Sequence, residues 1–171
     1  MLSSDLLPSE YHPYYAGYIN IVDDVHLMSA LQKGRDVFLD FVSTFPESRL
    51  HYAYADGKWT AAEVLVHILD AERVFQYRAF RFARNDKTAL PGFEQDDYVL
   101  ESKANDKSKE EILQEFTGIR DSTWALFASL NENELKREGS ASGSLMSVRA
   151  LGFVICGHQK HHLGILRERY L

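Results

Sequence analysis

All four prolines of the chain, Pro8, Pro13, Pro46 and Pro91, lie in the amino-terminal third or between stretches of helical periodicity. A proline inside a helix costs about 3 kcal/mol, so these positions mark joints and leave long helices between them. Four such segments follow. The first runs from about Asp24 to Thr44, with Met28, Leu31, Phe38, Phe41 and Val42 at three- and four-residue steps. The second opens on Thr60 and Glu63, a capping box in which hydroxyl and carboxylate each satisfy an orphan N–H. It continues to about Arg84 along Val64, Leu65, Ile68, Phe75, Ala79 and Phe82. Ser108 and Glu111 form a second capping box for a helix to about Leu130, with Ile112, Phe116, Ile119, Thr123 and Phe127 as its stripe. The fourth begins near Ser147, a favoured N-cap residue, and reaches almost to Tyr170. No alternating strand pattern of useful length, internal repeat or low-complexity tract interrupts this order.

Four amphipathic helices make an all-α four-helix bundle the economical architecture, with residues 1–171 as a single domain. Between the second and third helices lies Asn85 to Lys107, too long for a simple hairpin turn in a compact domain. We read it as a crossover, which gives an up-down-down-up topology. Tyr11, Tyr14, Tyr15 and Tyr18 crowd the amino-terminal segment, an aromatic density that suits a strap packed along the bundle.

Charge narrows the function. Nineteen basic residues against 25 acidic give a net charge of −6, the wrong sign for neutralising phosphates, so neither nucleic acid nor an anionic membrane surface is an expected partner. The longest apolar run, Leu151 to Cys156, falls far short of the roughly 20 residues that span a bilayer. MLSSDLLPSE has neither the basic nor the apolar region of a secretory signal. The single cysteine, Cys156, cannot pair within the chain, which suits a reducing cytoplasm.

Three of the seven histidines sit in Gly157-His158-Gln-Lys-His161-His162. At about 100° per residue, Leu151, Ile155, His158, His162, Ile165 and Leu166 fall within roughly 100° of one another. His158 and His162 lie near the middle of that stripe, one turn apart. His161 points roughly 100° away from His162, toward the edge, and Lys160, Arg167 and Glu168 take the polar face. Two inward imidazoles one turn apart are a metal-chelating geometry. The pattern is short and also arises by chance, and inward histidines serve as ordinary core residues too. The helix lacks the glutamate of an H-E-x-x-H general base.

A third ligand is available in His67, roughly 10 Å from the start of the second helix. If that helix and the fourth run antiparallel, His158 and His162 lie roughly 12–18 Å from the same end, at similar depth. Asp70, one turn after His67, is either a carboxylate behind the ligand or, the reading we favour, a surface charge. His12, His26 and His51 have no such partners. Cys156 lies roughly 120–160° from the two histidines and reads as a small buried hydrophobe. Trp59 is an anchor ahead of the capping box or a pocket wall. Arg73, Arg78, Arg81 and Arg84 read as solvated or paired to the crossover, with Asp96 and Asp97 as their expected partners.

The stretch Tyr54-Ala-Asp-Gly-Lys-Trp-Thr60 with Glu63, Val64, His67-Ile68, Asp70-Ala-Glu-Arg73, Tyr77-Arg78 and Arg81-Phe-Ala-Arg84 resembles the second helix of DinB-like proteins. Ser147-Val-Arg-Ala-Leu151, Gly157-His158 and His161-His162 resemble that family's last helix, and the likeness extends from Tyr11 through Tyr170. The family includes YfiT-type metal-dependent hydrolases and thiol-dependent S-transferases. The resemblance implies a four-helix bundle of up-down-down-up topology and a divalent metal, Zn²⁺ or Ni²⁺ as we read it, held by His67, His158 and His162. Despite the name, it implies no likeness to DNA polymerases. Three neutral imidazoles leave the cation its charge and open positions, the arrangement of a catalytic site.

Three readings follow. The first is a metal-dependent enzyme on a small molecule, working by hydrolysis or by transfer to a low-molecular-weight thiol, with His161 as a candidate proton shuttle. The second is a non-catalytic metal- or ligand-binding module. The third is a purely structural unit in which the histidines belong to the core. Homodimerisation through an exposed helix face is compatible with each.

Overall fold

The computed structural model describes residues 1–171. Three short 3₁₀ turns and helix α1 (Ala16–Asn20) precede α2 (Leu27–Thr44) and α3 (Ala61–Ala83). The crossover carries α4 (Gln95–Glu101), followed by α5 (Lys109–Ala128), α6 (Glu132–Leu135), a hairpin of β1 (Glu138–Ala141) and β2 (Ser144–Ser147), and α7 (Val148–Arg169). Helices α2, α3, α5 and α7 are the four read from the sequence. Both capping boxes form: Thr60 and Ser108 hydroxyls accept the N–H groups of Glu63 and Glu111, whose carboxylates return to the capping residues' N–H groups. Ser147 caps α7 by accepting from Ala150 N–H at 3.1 Å.

The bundle runs around a ring in the order α2, α7, α3, α5. Lys109, at the start of α5, donates to the Ser43 and Phe45 carbonyls at the end of α2, so those helices are antiparallel. Tyr170 donates to the Trp59 carbonyl at 2.7 Å, which sets the end of α7 against the start of α3. Arg73–Glu115 and Gln76–Ser122 hold α3 and α5 parallel. The topology is up-down-down-up, with the long crossover joining the two parallel neighbours.

The apolar interior falls into two blocks. One gathers Leu31, Phe75, Phe82, Phe127, Phe153 and Val154; the other gathers Phe38, Val42, Leu65, Ile112, Phe116 and Leu166. Polar side chains lie between them. Arg120, 1% exposed, donates from Nε and Nη2 to both carboxylate oxygens of Glu72 at 2.8 and 2.7 Å. It also donates to Gln159 Oε1 and the Leu31 carbonyl, and Gln159 donates onward to the Gly34 carbonyl. One layer of hydrogen bonds thus ties α2, α3, α5 and α7 at mid-height.

The crossover and the segment before α7 depart from expectation. The sequence shows no strand pattern because β1 and β2 have four residues each and are rich in glycine and serine, which have little intrinsic strand preference. Their register is fixed by the turn between them, and the crossover backs it. Ser142 and Gly143 both take positive φ (52° and 74°) to make the two-residue turn, and Leu90 of the crossover pairs with Ser140 and Ser142. Asp96 and Asp97 are not the partners of the α3 arginines. Arg73 pairs with Asp70 and Glu115, and Arg81 with Asp86 at the start of the crossover, while Arg78 and Arg84 form no ion pair.

Candidate metal centre

His67 projects from α3 and His158 and His162 from α7, and the antiparallel pairing brings all three to the same depth. One ligand atom from each lies within 4.8 Å of the others. His67 Nε2 and His158 Nε2 are 3.1 Å apart. Two nitrogens bound tetrahedrally at the usual Zn–N length of 2.0–2.1 Å stand roughly 3.3 Å apart, so this spacing fits a shared cation. Ring centroids are separated by 4.9 Å (His67–His158), 4.8 Å (His67–His162) and 4.4 Å (His158–His162).

The electrostatics favour the ligating form. Burial pushes the His67 imidazolium down to about 4, against a smaller opposing pull from Asp96. Burial and the neighbouring histidines bring His162 to about 3 and hold His158 well below its ordinary value. All three imidazoles are therefore neutral at pH 7 with lone pairs available. The donor set, three nitrogens without carboxylate or thiolate, suits a borderline divalent cation and matches three-histidine catalytic sites.

Other side chains fall into place around the cluster. Asp70 pairs with Arg73 at 3.1 Å and forms no hydrogen bond to His67, but it is half-buried rather than a surface charge, and burial pushes its carboxyl above the usual range. Cys156 is buried, its thiol pushed up to about 12 by burial, and it is not among the clustered ligands. His161 is exposed, its ring 5.0 Å from that of His162 and 5.3 Å from that of Tyr18, and it makes no hydrogen bond to the trio. His12, His26 and His51 lie elsewhere, each with its own local partner. Trp59 walls the site, its ring centroid 4.9 Å from His67.

Two openings reach the histidines. One, about 290 Å³, is bordered by Lys58, Trp59, Asp96 and His162. The other, about 270 Å³, runs from His67 and His158 past Phe75 to Arg78 and Phe93. The amino-terminal strap roofs the second: Tyr14, Tyr15 and Tyr18 line it, and the Tyr18 ring lies 5.3 Å from that of His158. The strap sits this close because residue 157 is glycine. A Cβ there would stand 1.9 Å from the Tyr18 carbonyl oxygen. Arg78, Tyr18 and Asp96 were not among the site residues read from the sequence. Arg78 carried a signal, since eleven residues after His67 it returns to the same helix face.

The comparisons with known proteins agree with this geometry. Residues 30–166 match the model of the DinB superfamily. A protein of Geobacillus thermodenitrificans named "Putative metal-dependent hydrolase" is 26% identical over 137 residues, covering 79% of this chain and 77% of its own. The structure of YfiT from Bacillus subtilis, described as a probable metal-dependent hydrolase with an unusual four-helix bundle topology, superposes with a TM-score of 0.75 at 17% identity, covering 83% of this chain and 82% of that one. A mycothiol-dependent maleylpyruvate isomerase shares the fold with a TM-score of 0.65 at 9% identity, over 81% of this chain and 58% of its own. With the family match spanning most of the bundle, the chain belongs to the DinB superfamily.

Proposed function

We propose that the protein is a metal-dependent enzyme acting on a small molecule, with His67, His158 and His162 as ligands of a Zn²⁺ or Ni²⁺ ion. The observation that carries this reading is the convergence of three neutral imidazoles, two buried and one half-buried, from two helices on one point reached by two openings. Three protein nitrogens leave a divalent cation its charge and room to activate water, a thiol or a substrate oxygen. The residues around it orient and enclose. Trp59 and Phe75 exclude water from the imidazoles, and Tyr18 closes the roof. Asp96, the carboxylate whose charge reaches His67, stands at the rim where a proton must leave or enter. His161, exposed beside His162, is the second candidate proton carrier.

Hydrolysis is the first reaction to test, supported by the names of the Geobacillus relative and of YfiT. Thiol-dependent chemistry is the second, supported by a shared fold with a mycothiol-dependent isomerase. The buried, unpaired Cys156 fits work in a reducing compartment.

The test is metal content of protein purified without chelators or a histidine tag, beside His67→Ala/His158→Ala. Co²⁺-substituted protein is then titrated with thiols and carboxylates, and an ester and amide panel is assayed with and without thiol. Stoichiometric metal, a responsive Co²⁺ spectrum and turnover lost in the double variant are expected. Metal bound with an unresponsive spectrum and no turnover would instead identify a closed, non-catalytic module. No metal uptake at neutral pH would return the histidines to a structural role.

A further inference from the structure

Three turns of an α-helix bring residue i+11 back to within about 20° of residue i. On α3 this aligns Arg78 with His67, about 16 Å further along the axis. Helical side chains tilt toward the N terminus, so the guanidinium leans back toward the histidines and lines the same cavity.

Arg78 is 3% exposed, yet no carboxylate lies within ion-pair distance of it. The other deeply buried arginines are compensated, Arg120 by Glu72 and Arg149 by Glu10. A buried cation without a counter-charge is costly, and Arg78 stands alone in this. Only its Nη2 is engaged, donating to Ser142 Oγ at 2.9 Å and to the Pro91 carbonyl at 3.3 Å. Both acceptors are neutral. They fix the fork from hairpin and crossover while Nε and Nη1 make no hydrogen bond to the protein, and neither is sealed from solvent.

We propose that Arg78 is the anion-recognition residue of this cavity, taking a carboxylate of the substrate or cosubstrate at the end remote from the histidines. The inference rests on the reading of the histidines as the reaction centre. One guanidinium supplies one positive charge, the match for a carboxylate; a phosphate dianion would keep an uncompensated charge in the same place. Phe75, Phe93 and Tyr15 line the cavity and suit an apolar spacer. Glu94, exposed on the same cavity, is the internal competitor for the guanidinium.

Full-length protein, zinc-loaded and chelator-treated, is titrated with hexanoate, hexanamide and inorganic phosphate while arginine Nε–H resonances are followed by NMR. Hexanoate is expected to shift one such resonance saturably in both forms, and hexanamide to leave it in place. That resonance is absent in Arg78→Gln, where hexanoate affinity should fall by about tenfold or more, the loss of one charge-assisted hydrogen bond. Arg78→Lys should lose less. Equal affinity in Arg78→Gln, no shift in the wild type, tighter binding of phosphate, or binding that emerges only in Glu94→Gln would each overturn the proposal. Should Arg78→Gln not fold by circular dichroism, the wild-type shift and Arg78→Lys decide. Zinc content of each sample separates the two readings. Zinc retained without a hexanoate effect sinks the anion site alone, and a hexanoate shift without zinc uptake sinks the metal centre alone.

Discussion

His67 Nε2 and His158 Nε2 face each other at 3.1 Å across the α3–α7 interface, although 91 residues separate them in the chain. Two neutral imidazoles share at most one hydrogen bond there, whereas a cation engages both lone pairs and that of His162. Zinc at 1,000 times its Kd should stabilise the fold by about 4 kcal/mol and raise the melting temperature by roughly 8–16 °C for a chain of this size. His158→Ala should abolish that shift and keep the helical circular-dichroism signal. A variant that still melts higher with zinc would place the metal elsewhere.

The depressed imidazole pKa values fix how binding depends on pH. With His67 near 4 and His162 near 3, the site is already deprotonated at neutral pH. Zinc binding should therefore release few protons, and calorimetry in buffers of different ionisation enthalpy should return nearly the same heat. For the metal-free protein, a folded pKa below the unfolded value of about 6.5 means that the unfolded chain takes up protons first. Stability is full above about pH 6.5 and declines toward about 4 and then about 3, with His67→Gln flattening part of that slope.

The Arg120–Glu72 pair is the most buried charge contact in the bundle, with side chains 1% and 2% exposed. Removing one partner strands the other charge, at a cost of about 3–5 kcal/mol. Arg120→Met alone and Glu72→Met alone should each lower urea stability by that order. The double variant should lose much less than the sum. Additive losses in the double-mutant cycle would mean the pair is not coupled.

Gly157→Ala tests the strap. The added methyl meets the Tyr18 backbone rather than a movable side chain, so α1 must shift away from α7. Faster proteolysis within the first 26 residues is expected, with the bundle melting only modestly lower. Unchanged protease sensitivity would show that the strap does not depend on this contact.

Much of this was legible before any coordinates. The four core helices announce themselves by period and by caps, which are local signals, and Thr60–Glu63, Ser108–Glu111 and Ser147 all cap as read. The histidine trio was legible because a 100° wheel and an antiparallel pairing suffice to bring it together. What escaped depends on partners distant in sequence. The hairpin has no strand composition of its own, and beyond its two-residue turn it is backed by Leu90, about 50 residues earlier. Glu72 and Arg120 each interrupt an apolar stripe, a visible anomaly whose meaning needs the facing helix. Arg78 hid in a run whose Arg73 and Arg81 do reach carboxylates; its place on the His67 face was visible, but its burial without a counter-charge was not.

The ring order α2, α7, α3, α5 has a kinetic corollary. Of the core helices consecutive in sequence, only α3 and α5 are neighbours in the ring; α2 and α3, like α5 and α7, sit across the diagonal. No helical hairpin can zip up first and template the rest, as it can in an up-and-down bundle. Such distant pairings place the fold toward the high-contact-order, slower end for helical proteins. Helices α3 and α7, the second and the last of the four, must meet for the histidines to do so. A nascent chain therefore offers no assembled three-histidine cluster until α7 has emerged.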